Sequence, residues 1–129
     1  MAYGSHLDKG FLAEATKGLR GLLSWDAMAV LAASAGREAE AEEKIRLAIK
    51  EGSGFGHFHH TAYHIACAYA LMNKHDEAMK WLKSAAEDGF PCYPLFEKDN
   101  GLNNLRQDPQ FQSFMADIKK GWENYKSRF

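Results

Sequence analysis

Cysteine is scarce: the 129 residues hold two, Cys67 and Cys92. Two cysteines do not make a disulfide scaffold, and neither belongs to a paired-cysteine metal motif. Proline is also rare, at three residues, so low-complexity and disordered classes are excluded by composition. Neither sign of charge dominates, since 16 basic residues against 17 acidic ones leave a formal charge of -1. That balance supplies no bulk attraction to nucleic acid or to an anionic membrane, and the lysines are not interleaved with aromatics. No apolar run reaches the roughly 18 to 20 residues of a membrane span, and no basic-then-apolar leader is visible. A cytoplasmic protein with neither a nucleic-acid nor a membrane partner is expected. Catalytic signatures are missing too. There is no H-E-x-x-H, and Ser34, Ser84 and Ser113 lack the strand-to-helix elbow of a serine hydrolase.

What the chain has is helical periodicity. At 14.5 kDa and 46% hydrophobic it can bury one core but hardly two. Residues 1–6, MAYGSH, read as an expression tag, and one domain is expected over 7–129. Phe11, Ala15, Leu19 and Leu22 recur at helical spacing and predict a capping helix within 7–23, packed on the unit that follows. Ser24 is placed to cap a helix over 25–34, which Gly36 breaks. A second helix over 37–50 turns Ala41, Ile45, Ala48 and Ile49 inward and ends at Gly52. A further pair is expected over 57–72 and 75–88, with Gly89 as terminator. The stretch 91–107 reads as an irregular packed connection with short turns near 95–97 and 102–106. Asp108 followed by Pro109 then starts a last helix over 108–127, striped by Phe111, Phe114, Met115, Ile118, Trp122 and Tyr125.

The order of small and large residues in the second pair resembles a tetratricopeptide repeat, a helical hairpin of about 34 residues. The matching positions are Ala66, Tyr69, Ala78, Leu82 and Ala85, supported by Ile65 and Leu71; Phe90 stands where the repeat usually has proline. Laid over the same pattern, the first pair places Trp25, Ala29, Ala32, Ala41, Ile45 and Ala48. Ala29 and Ala66, Ala41 and Ala78, Ala48 and Ala85 all lie 37 residues apart, with the extra residues falling in the glycine-rich stretch 52–56. The resemblance covers about 22–90, as repeats over 24–52 and 57–90. The tail LNNLRQDPQFQSFM resembles those following such repeats in bacterial multidomain proteins.

The resemblance implies an all-α, right-handed helical solenoid with N- and C-terminal capping helices, acting as a non-catalytic scaffold that binds a protein or peptide without a cofactor. It also implies a groove lined by Leu23, Asp26, Ala27, Val30 and Ala33 of the first repeat and His60, Tyr63, His64, Cys67 and Ala70 of the second. The lysines, asparagines and arginine by which chaperone-tail binders hold a terminal carboxylate are absent from these positions. An apolar groove with imidazole and phenol groups is expected instead. Exposed solenoid ends would favour a homodimer or attachment to a larger protein. The rival function is a metal-assisted enzyme using the cluster from His57 to Cys67, in which His60 and His64 sit one helical turn apart and Cys67 follows. Three ligands on one helix lack a second element to complete the site.

Overall fold

The computed structural model describes residues 24–52 and 58–128. The expected capping helix within 7–23, the tag at 1–6, most of the glycine-rich stretch, and the site candidates Leu23 and His57 lie outside them. Every regular element among the described residues is helical. In chain order they are α1 (Trp25–Ser34), α2 (Glu38–Gly52), α3 (Phe58–Leu71), α4 (His75–Glu87), α5 (Tyr93–Lys98), a 3-10 helix (Asn100–Leu105) and α6 (Pro109–Lys126).

Composition dictates which helices lie inside. α2 and α4 each carry one apolar stripe, Ala41, Ile45 and Ala48 in α2 and Ala78, Met79, Leu82 and Ala85 in α4, opposite a charged face. Acidic residues occupy their first turns, Glu38 and Glu40 in α2 and Asp76 and Glu77 in α4, where negative charge meets the positive helix end. α3 is apolar nearly all round, and between Ala62 and Ala70 only His64 escapes burial. A helix of that kind must be covered on several sides. It is: α3 packs against α1, α2, α4 and the 3-10 helix. Ala29, Ala41, Ala66, Ala78 and Ala85 have no accessible surface, so small side chains stand where the helices pack.

Both hairpins turn in the same way. After α1 the amide of Arg37 donates to Ala32 O at 2.9 Å and that of Gly36 to Ala33 O at 3.1 Å; after α3, Lys74 donates to Tyr69 O at 2.9 Å and Asn73 to Ala70 O at 3.0 Å. This paired closure needs a left-handed residue, supplied by Gly36 at φ 79° and by Asn73 at φ 60°. α4 ends likewise, with Gly89 at φ 119° and Phe90 donating to Ala85 O at 3.0 Å. Donor, acceptor and left-handed residue of the first two turns are each 37 residues apart.

Two local expectations change. Ser24 occupies the N-cap position of α1 with extended backbone, but its hydroxyl makes no capping bond. It acts instead on the Asp26 carboxylate two residues on, where it helps hold that group's pKa down. The stretch after Phe90 is more regular than single turns, because Phe96, Leu102 and Leu105 are wholly buried and join the core through α5 and the 3-10 helix. Asp108 caps α6 as its sequence implies, accepting from Gln110 N at 2.8 Å, while its other oxygen pairs with His75 Nδ1 at 2.9 Å. The stripe of α6 is core only at its start. Phe111 and Phe114 are buried, whereas Met115, Ile118 and Trp122 are half-buried and Tyr125 is 57% exposed.

Candidate functional site

The candidate residues lie on the faces that α1 and α3 present beside one another, and they divide by accessibility. Ala27 and Val30 are half-buried, while His60 and His64 are exposed. Asp26, Ala33, Tyr63, Cys67 and Ala70 are buried. For Tyr63, Cys67 and Ala70 the physical reason is the chain's own C-terminal part. Asp99, at the end of α5, accepts a hydrogen bond from the Tyr63 hydroxyl and another from Gly101 N at 2.8 Å. Gly101 lies so close to α3 that a Cβ there would stand 3.2 Å from Cys67 Sγ. Asn104 Nδ2 donates to Ala70 O at 3.0 Å. Arg106 ties the segment together by donating to Phe96 O at 3.2 Å and Asp99 O at 2.8 Å. Phe96 completes the cover, its ring stacked on Tyr63 with centroids 5.4 Å apart.

The other half of the site is an ion pair between hairpins. His64 Nδ1 lies 2.6 Å from Asp26 Oδ2. The hydrogen bond to Asp26 raises the His64 pKa above its ordinary 6.5, against the opposing effect of burial. Burial pushes the Asp26 carboxyl up, but hydrogen bonds to His64 and Ser24 outweigh it and hold the group below its ordinary 3.8. Both shifts favour the charged pair. Deeper in, burial and the nearby Asp99 carboxylate push the Cys67 thiol up to about 12. Burial, with Cys67 and Asp99 beside it, also raises the Tyr63 phenol. Cys67 is therefore a thiol at neutral pH and a poor nucleophile.

His60 and His64 do not converge. The His60 ring packs on Phe90 at 5.0 Å, whereas His64 engages Asp26 across the hairpin boundary. Among the described residues no group of three His, Cys, Asp or Glu side chains is arranged to hold a metal ion. What the face can do is present an imidazole whose protonated form Asp26 favours, together with the half-buried apolar side chains of Ala27 and Val30.

Asp99, Gly101, Asn104 and Arg106 are the residues of this region that sequence reasoning missed. A signal existed in the 37-residue step. Met28, Ile65 and Leu102 fall one step apart, as do Leu31, Ala68 and Leu105, so the 3-10 helix stands in the register of a third first helix. Comparison of the chain with protein-family models, with curated proteins and with solved structures gives no match.

Proposed function

We propose that the chain is a non-catalytic interaction module of the tetratricopeptide type, which binds a segment of a partner protein across the accessible faces of α1 and α3. The observation that carries this reading is the repetition of one hairpin at a fixed step, down to the left-handed residue that closes each turn. Such a repeat sets first helices side by side, and here they offer Ala27, Val30, His60 and His64 to solvent or to a ligand. The partner segment places an apolar side chain against Val30 and Ala27 and an acceptor, such as a carboxylate, against His60 or His64. Tyr63, Cys67 and Ala70 act beneath that surface by fixing its shape. The free thiols of Cys67 and Cys92 fit a reducing, cytoplasmic setting. The module works alone or as part of a larger protein.

Affinity capture with the intact chain, compared with Val30→Glu and His64→Ala, tests the proposal. Partners lost with both variants, while circular dichroism stays that of the unaltered chain, support it; partners retained by both place the binding surface elsewhere. Tyr63→Ala is the wrong probe, because it removes a buried core ring.

A further inference from the structure

The pairing of His64 with Asp26 fixes one nitrogen of the ring and leaves the other to titrate. An ionised carboxylate only accepts hydrogen bonds, and a neutral imidazole carries a proton on one nitrogen and a lone pair on the other. Asp26 Oδ2 lies 2.6 Å from His64 Nδ1, and the Asp26 carboxyl is held below its ordinary 3.8, so Nδ1 keeps its proton near neutrality. The proton that His64 gains and loses is therefore the one on Nε2. That nitrogen has no hydrogen-bond partner among the described residues, and the side chain is 46% exposed. The tip of the ring thus reverses its polarity, donating when charged and accepting when neutral.

The charges around the ring give that reversal a consequence for a ligand. Those acting on His64 are Asp26 from α1 and Asp99 from the turn into the 3-10 helix, both acidic. α2 and α4 carry their charges opposite their buried stripes, where Glu42 and Lys74 pair with each other at 3.0 Å. On α3 itself the neighbours are the exposed His60, the Tyr63 ring at 6.1 Å between centroids, and Cys67; the phenol and the thiol are uncharged at neutral pH. A charged imidazole cancels one of the two acids and offers a charge-assisted hydrogen bond near the half-buried Ala27 and Val30. A neutral one leaves both acids uncompensated and turns a lone pair outward. A carboxylate is attracted in the first state and repelled in the second.

We propose that the α1 and α3 faces select a partner segment bearing a carboxylate, and that one proton moves from solvent to His64 Nε2 as the segment binds, so that occupancy rises with acidity. The inference rests on the reading of this face as a binding surface and adds what controls it. Asp26 is a positioning residue here. A neutral histidine without such a partner exchanges between tautomers and offers an Nε2 donor part of the time; holding Nδ1–H removes that leak and sharpens the switch. By linkage, the bound carboxylate favours the protonated ring in turn.

Nitrogen-15 shifts of the imidazole rings in the intact chain read the tautomer without any ligand. Between pH 5.5 and 8, Nε2 of His64 should titrate while Nδ1 stays protonated; a neutral ring protonated at Nε2 overturns the proposal. Peptides are then selected from a random display library on the full chain at pH 5.5, and the tightest is titrated calorimetrically in buffers of different ionisation enthalpy. It should carry Asp or Glu, take up protons at pH 7, and bind about tenfold or more weakly at pH 8 than at pH 5.5, since one linked proton changes affinity by at most about tenfold per pH unit. The pH dependence should persist in His60→Gln and vanish in His64→Gln, both of which replace exposed side chains. It should vanish as well when the peptide's Asp or Glu becomes Asn or Gln, a change that leaves the protein untouched. Equal affinity at both pH values, or a dependence that survives His64→Gln, overturns the proposal while leaving the face a binding surface. No saturable peptide, or amide shift changes centred away from Ala27 and Val30, removes the underlying reading and the proposal together.

Discussion

The Tyr63 to Asp99 bond is where the hairpins are sealed by the C-terminal segment, and its removal has a calculable cost. Tyr63→Phe deletes the hydroxyl while preserving the stack on Phe96 and the edge contact with Phe90, whose centroid lies 5.5 Å away. A hydrogen bond to a charged acceptor contributes ~1.5–3 kcal/mol. Asp99 keeps the Gly101 amide and some solvent access, so the lower part of that range applies, about 2 kcal/mol. Asp99→Ala costs more, about 3 kcal/mol, because the buried Tyr63 hydroxyl and the Gly101 amide both lose their acceptor. The double variant should resemble Asp99→Ala alone, which gives a coupling of about 1.5–2 kcal/mol between two side chains in contact. In urea unfolding Tyr63→Phe should lower the midpoint with unchanged slope, and in thermal unfolding lower Tm by about 6–8 °C for a chain of this size. Additive single effects, or a Tyr63→Phe protein as stable as the parent, would refute the idea that this bond locks the 3-10 segment onto α3.

Three further outcomes are expected. Ala66→Leu, at a site with no accessible surface, should destabilise by about 1–3 kcal/mol through overpacking, and a neutral result in denaturant unfolding would exclude the close helix crossing. The Asp26–His64 pair should stabilise most between pH 3.8 and 6.5: the Asp26 contribution is present above 3.8 and lost as pH falls through its lowered folded value, while the His64 contribution is full below 6.5 and lost as pH rises through its raised folded value. The His64 side chain is 46% exposed, so the advantage over His64→Ala in that window is at most ~1 kcal/mol, read from urea midpoints across pH; an advantage greater at pH 8 than at pH 5.5 has the wrong sign. Ellman's reagent at pH 8 should modify Cys92 quickly and Cys67 only as the chain unfolds, because the Cys67 thiol is buried and pushed up to about 12. Equal rates would contradict that burial.

Helices were legible where the chemistry is local. Gly36 and Gly89 stop helices by adopting left-handed backbone, and Asp108 followed by Pro109 starts one. The alanine triplets 37 residues apart announced repeated hairpins, since only small residues permit such close approach. Asn73 was hidden in a polar turn because asparagine's tolerance of φ 60° is a weaker signal than glycine's. Long-range pairing was less visible. Asp26 and His64 were both candidates, but their contact depends on how α1 and α3 rotate against each other, which periodicity does not specify. Asp99 read as part of a connection because Asp-Asn-Gly is turn chemistry, and its acceptor role arises only once Tyr63 is brought beside it. The distal stripe of α6 showed the limit of pattern alone: identical periodicity yields a buried Phe111 and an accessible Tyr125.

The claim that α1 and α3 form a peptide-binding face is tested most directly by a ligand selected without prejudice. Peptides selected from a random display library on the full chain, titrated into nitrogen-15-labelled protein, report the surface they use through amide shift changes. The expected result is saturable binding with the largest changes at Ala27, Val30, His60 and His64, abolished by Val30→Glu. Saturable binding centred on any other surface, or no saturable ligand from the library, would contradict it.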